Sequence, residues 1–575
     1  MQQVRGTSLL VKALREEGVD TVFGYPGGLV TDIFDELYQQ DAIKVILPRH
    51  EQALVHEADG YARSTGKVGV CLVTGGPGAT NMVTGIATAY SDSVPLVCLS
   101  GQVASNLIGD DAFQEADIIG LTRSICKYGV IVNDRKNLGK IIKEAFYIAR
   151  TGKPGPVLID LPKDIMLELG SDEYPDKVNI RGYKPSTKVH IGQLKKAVDL
   201  LKASQKPIFL IGGGVNIAGA SAELTKLVDL TKIPVVTTMM GKGSIDTNHA
   251  YYLGNVGMHG SYAANMAITE CDLLFSIGTR FSDRVTSKIS EFARKAKIVH
   301  IDIDTASISK NIKVDIPIVA DAKEAIDAML NYVKEHDTTE WLKQLETWKA
   351  AHPLTMQNNQ GLTAKKIIDH INETFKDAII VTDVGQHQMW TTQFLELNKN
   401  MKLLTSGGMG TMGYGFPAAI GAKIGNEDKV VICISGDGGM QMNIQEMATA
   451  VAEELPVIIC IFNNSSLGMV RQVQTLFYEK HYSSVCTRRR KSCDLRCSGT
   501  SDQCPVYSPD FVALAKSYGA EGIRVTREVE IGTAFEQALK NTKGPTIIEF
   551  IMDKDELVLP MVQGGKPLYD MILEY

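Results

Sequence analysis

At 575 residues the chain is too long for one hydrophobic core, and three domains is the expectation from length. A formal charge of −6, from 60 basic and 66 acidic side chains, gives no electrostatic footprint for nucleic acid or an anionic membrane surface. With 44% hydrophobic and 22% charged residues the composition is that of a soluble globular protein, and no apolar run reaches the ~18 residues of a membrane-spanning helix.

The N-terminus enters a helical pattern at once (residues 6–17) with no secretory or transit segment, so the cytoplasm is the expected location. Up to about residue 165, helical patterns alternate with β-rich runs at 19–23, 43–47, 69–74, 95–100 and 157–160. That alternation predicts a parallel sheet covered by helices. Glycine turns follow two of these runs: Tyr25-Pro26-Gly27-Gly28 and Thr74-Gly75-Gly76-Pro77-Gly78-Ala79-Thr80-Asn81. Glu51 opens a helical run after the second strand, where an acid is also favoured simply by the helix dipole. Asp111-Ala112-Phe113-Gln114-Glu115 lies in a polar stretch without periodicity, a candidate substrate loop.

Residues 165–190 read as a linker. A middle domain over 190–335 carries strand-like runs at 207–211, 234–238, 273–277 and 298–302, a Rossmann-like pattern whose first strand runs into Gly212-Gly213-Gly214. The second linker, 335–361, is polar and helical in pattern, with Trp341 and Trp348 as packing anchors.

The third domain, 362–555, begins with a strand at 379–382 that ends in Asp383-Val384-Gly385-Gln386-His387. The stretch 406–418 is dense in glycine, and 556–575 forms a C-terminal tail. At 430–468 a buried strand, Gly436-Asp437-Gly438-Gly439, a predicted helix over 442–454 and a second buried strand lead to Asn463-Asn464-Ser465-Ser466-Leu467-Gly468. A βαβ unit brings the C-terminal ends of both strands to one sheet edge, where open α/β sheets bind ligands. Glycines there admit phosphate oxygens close to the backbone, and Asp437 with the Asn464 side-chain oxygen are hard donors suited to Mg²⁺. The fold expectation is therefore α/β, with three doubly wound parallel-sheet domains.

GDG followed at this distance by NN resembles the thiamine-diphosphate motif, with 24 residues between Gly438 and Asn463. Tyr25–Gly28, Arg49-His50-Glu51, Thr74–Asn81, Gly101-Gln102-Val103, the stretch 111–117 and Gly-Pro-Val-Leu-Ile-Asp-Leu-Pro-Lys-Asp at 155–164 together resemble the pyrimidine-binding domain of the acetolactate synthase large-subunit family. The likeness runs from near Gly6 to the C-terminus.

The resemblance implies thiamine diphosphate, Mg²⁺ and FAD as cofactors, and 2-oxo acids (pyruvate and 2-oxobutyrate) as substrates. It implies Glu51 as general acid/base toward the pyrimidine ring, with Gly28 and Gln114 stabilising the reacting centre. Gly385, Gln386, His387, Gly436, Asp437, Gly438, Gly439 and Asn464 would hold the diphosphate. Gly410 and Met412 would bend the cofactor. Asp437, Asn464 and Ser466 would hold the metal. Lys153, Gly212, Gly213, Met258, His259, Gly278, Arg280, Arg284, Asp302 and Asp321 would face the flavin. Phe113, Lys163, Arg284, Met469 and Val473 would line the substrate site, an Arg fork suiting a carboxylate. At least a dimer is implied, Glu51 of one subunit serving Asp437 of another, together with a regulatory small subunit.

Two positions depart from the family. Lys153 stands where an Arg usually contacts the flavin, keeping the charge without the planar fork. Val473 stands where the family often has Trp, so the acceptor preference is not carried over. A third departure is a longer connection at 483–507 with Cys486, Cys493, Cys497, Cys504 and the run Arg488-Arg489-Arg490-Lys491. Its C-x6-C-x3-C-x6-C spacing matches no common zinc signature, leaving metal or cluster binding, redox pairing and an inert loop as alternatives. The other six cysteines stand singly, mostly in apolar runs. The rival functions are a catabolic, FAD-independent acetolactate synthase, another thiamine-dependent 2-oxo-acid decarboxylase or oxidase, and a binding or regulatory protein on the same scaffold.

Overall fold

The computed structural model describes residues 3–357, 361–494, 496–497, 504–505, 507 and 509–575. Three six-stranded sheets, each parallel throughout, form in succession along the chain. The first runs, edge to edge, Lys44–Ile46, Thr21–Tyr25, Gly69–Val73, Leu96–Gln102, Val157–Pro162, Tyr128–Ile131. The third runs Lys402–Thr405, Ala378–Thr382, Val430–Gly436, Val457–Asn463, Thr546–Ile551, Glu521–Val525. Counted within each domain, both sheets have the order 2-1-3-4-6-5. The middle sheet, Tyr252–Asn255, Val235–Thr237, Pro207–Ile211, Leu273–Ile277, Lys297–Asp302, Ile316–Val319, has the Rossmann order 3-2-1-4-5-6.

Strands covered by helices on both faces read as continuous apolar runs, which is why Val430–Gly436 (VVICISG) and Val457–Asn463 (VIICIFN) stand out in the sequence. Five strands without so plain a run, at 128–131, 252–255, 316–319, 402–405 and 521–525, all lie at sheet edges, where one side lacks a neighbour. The helix expected over 442–454 is instead a 3₁₀ turn, Ile444–Glu446, followed by Met447–Ala452, with a separate short helix at Asp437–Met440. Asn443 sits at the break, at φ −134°, and donates from Nδ2 to Gly413 O at 2.8 Å.

The first and third domains meet along two helices, Glu51–Thr65 and Gly415–Ile424. Their backbones approach so closely that a Cβ on Gly421 would lie 1.8 Å from Glu57 O, and one on Gly60 2.0 Å from Ala418 O. Arg63 locks this seam. Its guanidinium lies 2.7 Å from Asp59 and 3.1 Å from Asp92, and donates to Thr405 O at 2.9 Å. Asp92 in turn accepts from Gly407 N and Gly408 N, and Tyr414 donates to Asp59 at 2.7 Å.

The connections are packed. Leu169–Ser171 pairs antiparallel with Gln3–Arg5, and Tyr174, Ile180 and Tyr183 rest on the first-domain core. Trp341, in the helix Thr339–Ala351, is buried in the middle domain, edge-on to Trp348, and donates from Nε1 to Pro207 O at 3.2 Å. The tail leaves the third domain and buries Val562 and Leu568 in that same middle-domain core. Cys71, Cys98, Cys271, Cys433 and Cys460 are buried, and Cys126 is half-buried. No helix among the described residues is long and apolar enough to cross a membrane.

Candidate active site

In the third sheet the chain reverses direction across the sheet between Ala378–Thr382 and Val430–Gly436, which makes their C-terminal ends a topological switch point. A pocket opens there. Its lining includes Gly385, Gln386, His387, Met412, Gly436, Asp437, Gly438, Gly439, Asn464, Ser466 and Met469, together with Trp390, which the sequence reading did not single out. Gly410, at φ 67°, turns the chain just before Met412.

His387 is packed between two glycines. A Cβ on Gly385 would lie 2.8 Å from its ring, and one on Gly436 2.9 Å. Burial pushes the His387 imidazole down to about 3, so the ring is neutral, and its Nε2 is buried with no hydrogen-bond partner among the described residues. A buried polar atom without a partner on a pocket wall fits a ligand that completes its hydrogen bonding. Gln386 ties the wall together. It accepts from Asn464 Nδ2 at 3.0 Å and donates to Gln472 Oε1 at 3.1 Å and to Glu556 O at 2.9 Å.

Burial raises the Asp437 carboxyl to about 7, against a hydrogen bond from the Thr487 hydroxyl at 2.8 Å. A buried carboxylate is stabilised by a neighbouring cation, and the oxygen chemistry of this turn suits Mg²⁺ in that role. Asn464 Oδ1 accepts from Ser466 N at 3.2 Å, which fixes the side-chain amide with its oxygen on the turn. Asp383, at the end of the preceding strand, is a second buried acid. Burial raises its pKa, while N–H groups of Val384, Gly415 and Gly413 donate to it and hold the glycine-rich turn in place.

The first sheet has its own switch point, between Thr21–Tyr25 and Gly69–Val73. Glu51 is the first residue of its helix, and Asn81 donates to its Oε2 at 2.9 Å. Gln114 takes φ 64° and packs on Gly76, Phe113 is 87% exposed, and Lys163 Nζ donates to Gly28 O at 3.0 Å. No first-domain residue lines the third-domain pocket of its own chain among the described residues.

In the middle sheet the switch point lies between Pro207–Ile211 and Leu273–Ile277, where Gly212 and Gly278 meet: a Cβ on Gly212 would lie 2.1 Å from Gly278 O. Gly213 opens the short helix Gly213–Ile217 there. Met258 N donates to Arg284 O at 2.9 Å, and the exposed Arg284 guanidinium reaches Met258 Sδ at 3.3 Å. Burial takes His259 down to about 4, and its Nδ1 lies 3.3 Å from Pro560 O of the tail. Arg280 is exposed, Lys153 pairs with Asp304 at 3.2 Å, and Asp302 accepts from Asp304 N at 2.8 Å. Asp321 uses Oδ1 to cap the helix Ala322–Leu330 through Lys323 N and Glu324 N. Val473 does not line the pocket; it packs with Leu557, Leu559 and Met561 of the tail.

Thr487 lies in the cysteine-bearing connection, and nothing in the sequence marks it, because it meets Asp437 across 50 residues. Asn81 and Asp383 belong to motifs visible in the sequence, but their partners are not. Among the described residues no three His, Cys, Asp or Glu side chains gather as a metal-binding cluster. Cys486 and Cys497 are exposed, and Cys493 and Cys504 half-buried.

Three family descriptions match consecutive parts of the chain. They are the N-terminal TPP binding domain of thiamine pyrophosphate enzymes over residues 4–121, the central domain over 194–329, and the C-terminal TPP binding domain over 383–550. A probable acetolactate synthase large subunit of Methanococcus aeolicus is 46% identical, covering 99% of this chain and 95% of its own. Acetolactate synthase isozyme 3 large subunit of Escherichia coli is 41% identical over 98% of both chains, and the Haemophilus influenzae large subunit 42% over 100% and 99%. With all three domains in order and relatives matched from end to end, the chain belongs to the acetolactate synthase large-subunit family of thiamine pyrophosphate enzymes.

Proposed function

We propose that the chain is the catalytic subunit of a biosynthetic acetolactate synthase. It decarboxylates pyruvate and joins the remaining two-carbon unit to a second pyruvate, giving (S)-2-acetolactate and CO₂, or to 2-oxobutyrate, giving 2-aceto-2-hydroxybutyrate. The observation that carries this is the switch-point pocket, where His387, Asp437 and Asn464 converge with glycine turns on one sheet edge.

Thiamine diphosphate, when bound, supplies a nucleophilic carbon and an electron sink for the loss of CO₂. The protein's part is to hold, bend and deprotonate it. Asp437, the Asn464 side-chain oxygen and the Ser466 carbonyl are an oxygen donor set suited to Mg²⁺. Gly385, Gln386 and His387, with the turn Gly436 to Gly439, would hold the diphosphate, and Gly410 and Met412 would set its bend. Glu51 would exchange a proton with the pyrimidine, its Oε2 fixed by Asn81. Gly28 and Gln114 would face the reacting carbon, with Phe113, Lys163, Met469, Val473 and Arg284 around the two substrates. FAD would lie at the middle-sheet switch point, against Gly212, Gly213 and Gly278, with Met258, His259, Arg280, Asp302, Asp321 and Lys153 as its further surroundings.

The family resemblance implies that two copies complete one site, Glu51 of one facing Asp437 of the other, and the pocket lining among the described residues, which does not include Glu51, fits that reading. A regulatory small subunit is the further partner, since the relatives are named large subunits. The cytoplasm is the proposed place of work.

The test is purified protein given pyruvate with and without 2-oxobutyrate, thiamine diphosphate, Mg²⁺ and FAD. Both hydroxy-acid products and CO₂ are scored, and flavin is read from visible absorbance. Acetolactate formed only with thiamine diphosphate and Mg²⁺ is the expected result. Pyruvate consumed to acetaldehyde or acetate without acetolactate would replace the synthase with a decarboxylase or oxidase.

A further inference from the structure

The connection that bears the four extra cysteines begins as a strap laid over the metal-binding turn. After the helix Gly468–Phe477 the chain reverses through Glu479, Lys480 and Ser484, all at positive φ, and returns antiparallel to residues 465–467. Leu467 N donates to Val485 O at 2.8 Å and Thr487 N to Ser465 O at 3.1 Å, on either side of an isolated bridge between Ser466 and Cys486. In that pattern the bonds run between the neighbours, so the Ser466 carbonyl takes no part in them. Val485, within the strap, is buried at 3% exposure. At its end the Thr487 hydroxyl donates to Asp437 Oδ2.

We infer that Thr487 is a positioning residue of the divalent-cation and diphosphate site, holding the Asp437 carboxylate while the strap of residues 483–487 fixes the Asn464–Ser466 turn opposite it. This rests on the reading of the pocket as a thiamine-diphosphate site. Two separate contacts carry it, one from a side chain to the proposed acidic ligand and one from the backbone to the turn with the other two. Asp437 is buried at 2% exposure, and Thr487 is the side chain that donates to it, beside the backbone N–H groups of Asp437 and Asn464. The strap also gives the cysteine-bearing connection a place: it is joined directly to the metal-binding turn, with the basic run starting at Arg488.

The experiment compares wild type, Thr487→Val and Thr487→Ser in full-length protein. Thiamine diphosphate binding is followed by equilibrium dialysis and tryptophan fluorescence, Trp390 being on the pocket wall, as Mg²⁺ is raised. Valine keeps the shape and removes the donor; serine keeps the donor. A hydrogen bond to a charged group predicts that Thr487→Val needs about ten-fold more Mg²⁺ for half-binding. Its kcat at saturating cofactors should stay within about two-fold of wild type, and Thr487→Ser should bind like wild type. Wild-type affinity in Thr487→Val would overturn the assignment, as would a serine variant as weak as the valine one. A wild-type chain with no Mg²⁺-dependent binding would sink both the assignment and the pocket reading. Normal wild-type binding with an unaffected valine variant would sink the assignment alone.

Discussion

Asn81 donates a 2.9 Å hydrogen bond to Glu51 Oε2, joining the second glycine turn of the first sheet to the N-terminus of the helix Glu51–Thr65. One carboxylate oxygen is thereby fixed. Glu51→Gln keeps the shape and removes the acid, so turnover should fall by about 10²–10⁴ while Mg²⁺ and thiamine diphosphate binding persist. Asn81→Ala should cost less and mainly in kcat, because the acid remains and only its orientation is lost. Steady-state kinetics beside a binding titration separates these, and near-wild-type turnover in Glu51→Gln would remove Glu51 from the chemistry.

The seam between the first and third domains depends on the absence of side chains. Gly421→Ala would place its Cβ 1.8 Å from Glu57 O, which is backbone and cannot rotate away. Such overpacking costs about 1–3 kcal/mol or more, so the melting temperature should drop by several degrees. Gly544→Ala, with nothing within 4 Å of the added carbon, should leave it unchanged. Equal melting in both variants would show that the helices can part at no cost.

His56 gives a pH test of the same seam. It is fully buried, edge-on to Tyr414, with neither ring nitrogen hydrogen-bonded among the described residues, and burial lowers it to about 3, helped by the charge of Arg63. A folded pKa below the unfolded one means the neutral ring's contribution is fully present above about 6.5 and lost as pH falls toward 3. Between pH 7.5 and 5.0 wild type should therefore lose about 2 kcal/mol relative to His56→Phe. Parallel stability curves for the two proteins over that range would contradict the burial of a neutral imidazole.

Val473 rests against Leu557, Leu559 and Met561 of the tail, with Met258 beside them. A tryptophan there would fill space next to Met258, proposed for the flavin, and the proposed substrate residues Met469 and Arg284. Val473→Trp should raise the yield of 2-aceto-2-hydroxybutyrate over acetolactate in a mixed-substrate assay, by about ten-fold, the scale on which pocket shape sorts substrates differing by one methylene. An unchanged product ratio would place acceptor selection elsewhere.

The central strands were legible because burial on both faces demands unbroken apolar runs, and Gly436 to Asn464 was legible because glycine and hard oxygen donors are scarce in such company. That Glu51 and Asp437 belong to different sheets was legible in the domain pattern, because each follows a strand of its own domain. What the sequence by itself determined was local, namely the central strands and the glycine turns at their ends. The tertiary structure decided strand order, and with it the switch point that makes those turns into a pocket. It also decided which polar atoms have partners. Asp321, which resemblance assigns to the flavin, spends an oxygen capping a helix, whereas Thr487, in a connection with no family pattern, reaches Asp437. Hydrogen bonds across 50 or more residues depend on how the sheets pack, and no local pattern of residues records that.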